Sequence, residues 1–147
     1  LDAALASLPL PDLPARSVWD LLVTGVGGTG VVTVGQIAAM AAHLEGRGVS
    51  VLDFTGFAQK FGPVLSYLRI AARPADLTQV RIDAASADAL IGCDIVVSTA
   101  PKASTCLSPA TRAVVNLAEM PTGSIVLNRD ASLQVPRRLR ALAGGYR

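Results

Sequence analysis

Val18-Trp19-Asp20-Leu21-Leu22-Val23-Thr24-Gly25-Val26-Gly27-Gly28-Thr29-Gly30 is the stretch on which the fold turns. Apart from Asp20, its first seven residues are apolar or β-branched, which predicts a buried strand over 18–24. The remaining six match G-x-G-x-x-G. Thr29 to Leu44 then has helical character, rich in Ala and Met, and stops at Gly46 and Gly48, where a glycine C-cap belongs. Val49 to Asp53 reads as a second short strand. Strand, glycine turn, helix and strand in this order make a βαβ unit.

The turn has a chemical reading. Glycines let the backbone bend tightly and approach a phosphate without a Cβ in the way. The helix that follows offers unpaired N–H groups and the positive end of its dipole. Gly25, Gly27, Gly28, Thr29 and Gly30 are therefore the candidate phosphate-binding residues, with Thr29 adding a hydroxyl. Asp53 ends the next strand, about where a ribose-binding acid sits in dinucleotide folds. By itself the turn suits NAD or FAD, another phosphate ligand such as coenzyme A, or a docked protein. It also suits a tight strand–helix junction that binds nothing.

Working outward, 54–62 is an irregular loop, 64–71 a third strand and 79–82 a short fourth one. Residues 85–91 read as a brief helix ended by Gly92, and 94–99 (DIVVST) as a continuous apolar strand of the doubly buried type. Residues 104–110 read as helix or turn, 112–116 and 124–128 as two strands, and 136–143 as a short basic helix with Pro136 in its first turn. The fold class is α/β, a three-layer α/β/α sandwich with a Rossmann-like, mostly parallel (mixed) sheet. Upstream, Pro9, Pro11 and Pro14 forbid regular structure, so 1–17 reads as a linker from a preceding domain and 18–147 as the domain proper. The first residue is Leu1, as expected of an excised domain.

Composition narrows the function. The 147 residues are 51% hydrophobic and only 16% charged, so part of the surface is expected to lie under other protein. A formal net charge of +2 argues against nucleic acid. No apolar run reaches the roughly 20 residues that span a bilayer, and no signal peptide is visible. Two cysteines, Cys93 and Cys106, fit a reducing cytoplasm and the role of small buried fillers.

The next segment changes the weighting. Gly56-Phe57-Ala58-Gln59-Lys60-Phe61-Gly62-Pro63-Val64-Leu65-Ser66-Tyr67-Leu68-Arg69-Ile70 resembles the loop-and-strand signature of the gamma subunit of 2-oxoacid:ferredoxin oxidoreductases, which follows a G-x-G-G-x-G turn at this distance. Ala87 to Asp94, Thr111 to Asn116, Pro121-Thr122-Gly123 and Asn128-Arg129-Asp130 are similar to later segments of that family. The resemblance runs from about Leu21 to Asp130 and is closest to the fused, single-chain indolepyruvate ferredoxin oxidoreductases. Phe61 departs from it, standing where glycine is usual.

The resemblance implies an enzyme that oxidatively decarboxylates 2-oxoacids, arylpyruvates in the indolepyruvate branch, to acyl-CoA and CO2. Electrons pass through [4Fe-4S] clusters to ferredoxin, thiamine diphosphate stabilises the carbanion, and coenzyme A is co-substrate. It also implies a dimeric parent whose other domains or subunits are this chain's partners. The chain's own residues exclude the central steps. A cubane needs four cysteines, and the G-D-G motif of thiamine sites is absent. No catalytic or metal-binding residue is expected here; the share left is architectural, with phosphate contacts near coenzyme A.

Gln59, Lys60, Gly62, Ser66 and Arg69 are the loop and interface candidates. Lys60 is a mobile charge suited to phosphate or solvent. Arg69, inside an apolar strand, requires a carboxylate or a phosphate. His43, the sole histidine, suits a helix C-terminus. Lys102 follows a strand at the edge where α/β ligands bind, Asp94 is expected at the opposite edge, and Arg137, Arg138 and Arg140 form a solvated basic turn.

Overall fold

The computed structural model describes residues 6, 7, 9, 16–56, 62–118 and 132–144. Five strands form one sheet in the order β2-β3-β1-β4-β5. They are β1 (Val18–Val26), β2 (Gly48–Thr55), β3 (Pro63–Ala71), β4 (Ala89–Gly92) and β5 (Arg112–Val115). β1 runs parallel to β4, and β4 to β5. β3 lies antiparallel between β1 and β2, paired with β1 over its whole length from Val18↔Ala71 to Val26↔Pro63. The sheet is thus mixed, with β3 the one reversed strand among those described.

Strand alternation sends side chains to both faces, and helices pack on both. Helix α1 (Val31–Leu44) packs on one, where Val31 meets Val23 and Val64. The short helices α2 (Ile95–Ser98) and α3 (Pro101–Cys106) cover the other, where Leu22, Leu65, Tyr67 and Leu90 pack with Ala103, Cys106 and Leu107. Helix α4 (Val135–Ala143) adds Leu142 to that second core, and Arg138 donates to Thr99 Oγ1 at 2.7 Å. This is the expected three-layer α/β/α sandwich.

α1 ends as its glycines require. Gly46 sits at φ 78°, its N–H donates to the His43 carbonyl at 2.9 Å, and Arg47 N–H reaches back to Ala42 at 3.1 Å. That pair of bonds is a Schellman closure, which needs a residue with positive φ.

Four expectations are corrected. Residues 94–99 are not a strand: Asp94 accepts the Val97 N–H at 2.8 Å and caps α2. An N-terminal cap of this kind opens a helix even when β-branched residues follow. The strand lies earlier, at 89–92, where a brief helix was expected, so Asp94 follows β4 and stands at the carboxyl edge rather than the opposite one. Residues 79–82 form no strand; the Gln79 carbonyl accepts from Arg69 Nη1 at 3.1 Å instead of from a neighbouring strand. The expected strand at 124–128, the segments 121–123 and 128–130, and most of the linker 1–17 lie outside the described residues.

Candidate functional site

The glycine turn joins β1 to α1, and its residues act in different ways. Gly28 and Gly30 sit at φ 90° and 87°, in the left-handed region that glycine enters at least cost. Gly27 donates its N–H to the Gly62 carbonyl at 2.7 Å, and a Cβ on Gly27 would press on that same oxygen at 3.3 Å. Thr29 turns its hydroxyl inward to the Val26 carbonyl at 2.6 Å. Gly30 is the N-cap of α1 and has no side chain to satisfy the first-turn N–H groups; the first helical bond runs from Val34 to Gly30 at 2.9 Å. A depression of about 320 Å³, lined by Val26, Gly27, Gly28, Gly30, Val31, Val32 and Val64, opens beside the turn. The five candidate turn residues are therefore brought together, and Gly62, from the second motif, closes on them.

This arrangement departs from a dinucleotide site in two respects. In that fold the second strand adjoins the first and delivers its acid to the ribose. Here β3 separates β1 from β2, and Asp53 stands opposite Ser66, not at the turn. In addition, the Gly27 N–H is occupied by protein, and the Thr29 hydroxyl is spent as a donor within the turn.

The loop and interface candidates separate. Gln59 and Lys60 lie outside the described residues. Ser66 is fully buried on the α1 face, and its Oγ has no hydrogen-bond partner. It lies directly beneath Gly35, where any Cβ would collide with that hydroxyl. Arg69 takes a carboxylate: Nε and Nη2 donate to Asp20 at 2.7 and 3.2 Å. Asp88 accepts from the Asp20 backbone N–H at 2.9 Å and is also bonded by Arg16. Both members of the Asp20–Arg69 pair are buried, so removing either one leaves an uncompensated charge and costs about 3–5 kcal/mol. Asp20 lies six residues before Val26 along β1, about 20 Å at strand rise. Arg69 and the glycine turn thus sit at opposite edges of the sheet and do not share a site.

On the face of α2 and α3, Lys102 stacks its ammonium on the Phe54 ring, 3.7 Å from the centroid. Nearby, Tyr67 and Cys106 lie buried beside Arg81. Desolvation raises both the Tyr67 hydroxyl and the Cys106 thiol above their ordinary ionisation range. Phe54 and Arg81 carry no motif, and Tyr67 holds a position of the β3 signature to which no role was given, so sequence reasoning passed over all three as site residues; the crossing of α3 over the sheet groups them with Lys102. Cys93 is also raised by burial, and neither cysteine is in a disulfide. Among the described residues no three His, Cys, Asp or Glu side chains converge as metal ligands. His43 is in the last turn of α1. No helix of the described residues is long and apolar enough to cross a membrane.

Comparison with known proteins gives this geometry a context. A stretch of 51 residues is 37% identical to the indolepyruvate oxidoreductase subunit IorB of Thermococcus kodakarensis, and equally to that of Pyrococcus horikoshii. Each match covers 35% of this chain and 25% of the relative, so the chain matches about a quarter of the length of these curated relatives. The crystal structure of pyruvate oxidoreductase subunit PORC from Thermotoga maritima superposes with a TM-score of 0.55 at 20% identity, covering 76% of this chain and 55% of that one; it shows the shared fold. The family described as pyruvate ferredoxin/flavodoxin oxidoreductase matches residues 20–141, from the Asp20 that pairs with Arg69 into the last turn of α4, and the chain belongs to that family.

Proposed function

We propose that this chain is the gamma-type domain of a 2-oxoacid:ferredoxin oxidoreductase of the indolepyruvate kind, acting in the cytoplasm as one part of a dimeric parent enzyme. The observation that carries the reading is the bond from Gly27 N–H to the Gly62 carbonyl. It ties the glycine turn to the loop that follows β2, so the two halves of the signature form one structural unit. A dinucleotide site has no use for such a closure, and the insertion of β3 between β1 and β2 also counts against one.

Thiamine diphosphate supplies carbanion stabilisation in this chemistry, and iron–sulfur clusters carry the electrons to ferredoxin. The residues of this chain fit neither group. Two cysteines are half of what one cubane requires, and no metal-ligand cluster forms among the described residues. Both groups are therefore assigned to other domains or subunits of the parent. What remains here is support and phosphate contact. The uncapped first turn of α1 and the depression beside Gly28 and Gly30 suit a phosphate of coenzyme A.

Replacement of Gly27 tests that role in the parent enzyme. A Gly27→Val side chain pushes against the Gly62 carbonyl and opens the turn. The Michaelis constant for coenzyme A is expected to rise about tenfold, a change of ~1.4 kcal/mol, while the thiamine-dependent half-reaction survives. Unchanged coenzyme A dependence in a folded variant would make the turn a scaffold only. Tight NAD binding by the unmodified chain would return it to the dinucleotide class.

A further inference from the structure

On the sheet face opposite the glycine turn lies a second cavity, of about 490 Å³, a volume usual for small-molecule sites. Phe54, Pro63, Leu65 and Pro101 make its walls apolar, and Lys102 is the single charged residue lining it. The same lysine lines an adjoining recess of about 320 Å³ with Tyr67, Arg81, Thr105 and Cys106. Leu65 and Tyr67 are alternate residues of β3, so the two spaces follow one another along the same strand face. Together they form a trough with an apolar end, a polar end and Lys102 between them.

The charges in this trough are uneven. Asp83 lines the polar end, but its carboxylate already accepts from Gln79 Nε2. Lys102 is exposed, rests on the Phe54 ring and has no carboxylate within ion-pair distance among the described residues. Arg81 likewise forms no ion pair among them, and its guanidinium lies near enough to the Tyr67 hydroxyl to favour the ionised phenolate against the desolvation that raises it. Two cations without carboxylate partners beside an apolar chamber recognise an anion with an apolar body.

We propose that the trough binds a small aryl-alkyl carboxylate, with the ring seated between Phe54, Pro63, Leu65 and Pro101 and the carboxylate held by Lys102. Arg81 stands at the polar end as the second cation. A cationic ligand is repelled by Lys102. A polyphosphate finds no glycine-rich backbone here to cradle it. The site lies on the face of α2 and α3, whereas the depression beside the glycine turn lies on the α1 face; Pro63, next to the Gly62 that closes the turn, borders it.

Titration of the full chain with phenylacetate, followed by amide chemical shifts, tests the assignment. Saturable shifts are expected at Gly56, Ala100 and Lys102, with indole-3-acetate shifting the same amides. The neutral analogue phenylacetamide should bind at least tenfold more weakly. Lys102→Gln should lose at least tenfold in affinity, whereas Lys102→Arg, which keeps the charge, should stay within about threefold of the unmodified chain. No saturable shift at millimolar phenylacetate, equal binding of the amide, or undiminished binding by a folded Lys102→Gln variant would overturn the proposal. Displacement of the probe by coenzyme A would overturn it too, since the trough would then belong to the coenzyme A site.

Discussion

Ser66 and Gly35 meet where α1 crosses β3, and each constrains the other. The Ser66 hydroxyl is buried without a partner, which forfeits about 1–3 kcal/mol of hydration. Ser66→Ala removes that loss, so we expect unchanged or higher stability in urea melts, by up to about 1 kcal/mol. Gly35→Ala is expected to act in the opposite direction. Its Cβ collides with Ser66 Oγ and lies 3.1 Å from Ser66 Cβ, so α1 must lift from the sheet. Overpacking of this kind costs about 1–3 kcal/mol, and the melting temperature of Gly35→Ala should fall. At the same scale, burial raises the ionisation of Cys106 above 9.0 and of Tyr67 above 10.0. The folded state therefore holds both protons more tightly than the unfolded chain does. The stability this confers is complete below about pH 9 and is lost as the pH rises through the folded-state values. Melting temperatures should decline from pH 9 upward, and the double replacement Cys106→Ala, Tyr67→Phe should flatten the decline; an identical profile in that variant would contradict the assignment.

Elements were legible where their signal is local. The β1 run, the positive-φ glycines and the Schellman glycine all lie within a few residues of the structure they specify, and the structure has them in place. The segment 85–99 was misread because Ile95-Val96-Val97 has strand composition while the deciding interaction is one side-chain cap. Asp94 binds the Val97 N–H, and Gly92 leaves the space in which Ser98 folds back against β4 and meets Thr24 at 2.8 Å. Asp94→Ala removes the cap and should cost about 1 kcal/mol, within a range of 0.5–2. A larger share of the loss is expected near α2 and β4 in hydrogen exchange than near α1, and uniform loss across the chain would contradict the local account. The candidate site was half legible for the same reason. The glycine turn is contiguous in sequence, whereas its closure by Gly62 and the pairing of Arg69 with Asp20 depend on strand register. That β3 is inserted antiparallel between β1 and β2 could not be read from strand order along the chain. Of the trough only Lys102 was legible, from its place at the carboxyl edge; the rest left no signal, because its walls come from β2, β3 and α3.

At the scale of the whole molecule, the proposed reading makes this chain one domain of a larger enzyme. The chain has too few cysteines for one cubane. Exposed Val34, Ile37, Met40 and Leu44 run along the outer side of α1, a helix without a charged residue, as expected of a surface covered in an assembly. The central claim concerns the parent enzyme and is tested there. The measurement is anaerobic reduction of a viologen dye by the parent protein with indolepyruvate, with coenzyme A present or omitted and NAD absent. The account predicts reduction that requires both the oxoacid and coenzyme A. Absence of dye reduction, together with reduction of NAD by some substrate, would contradict it and make the glycine turn an ordinary dinucleotide site.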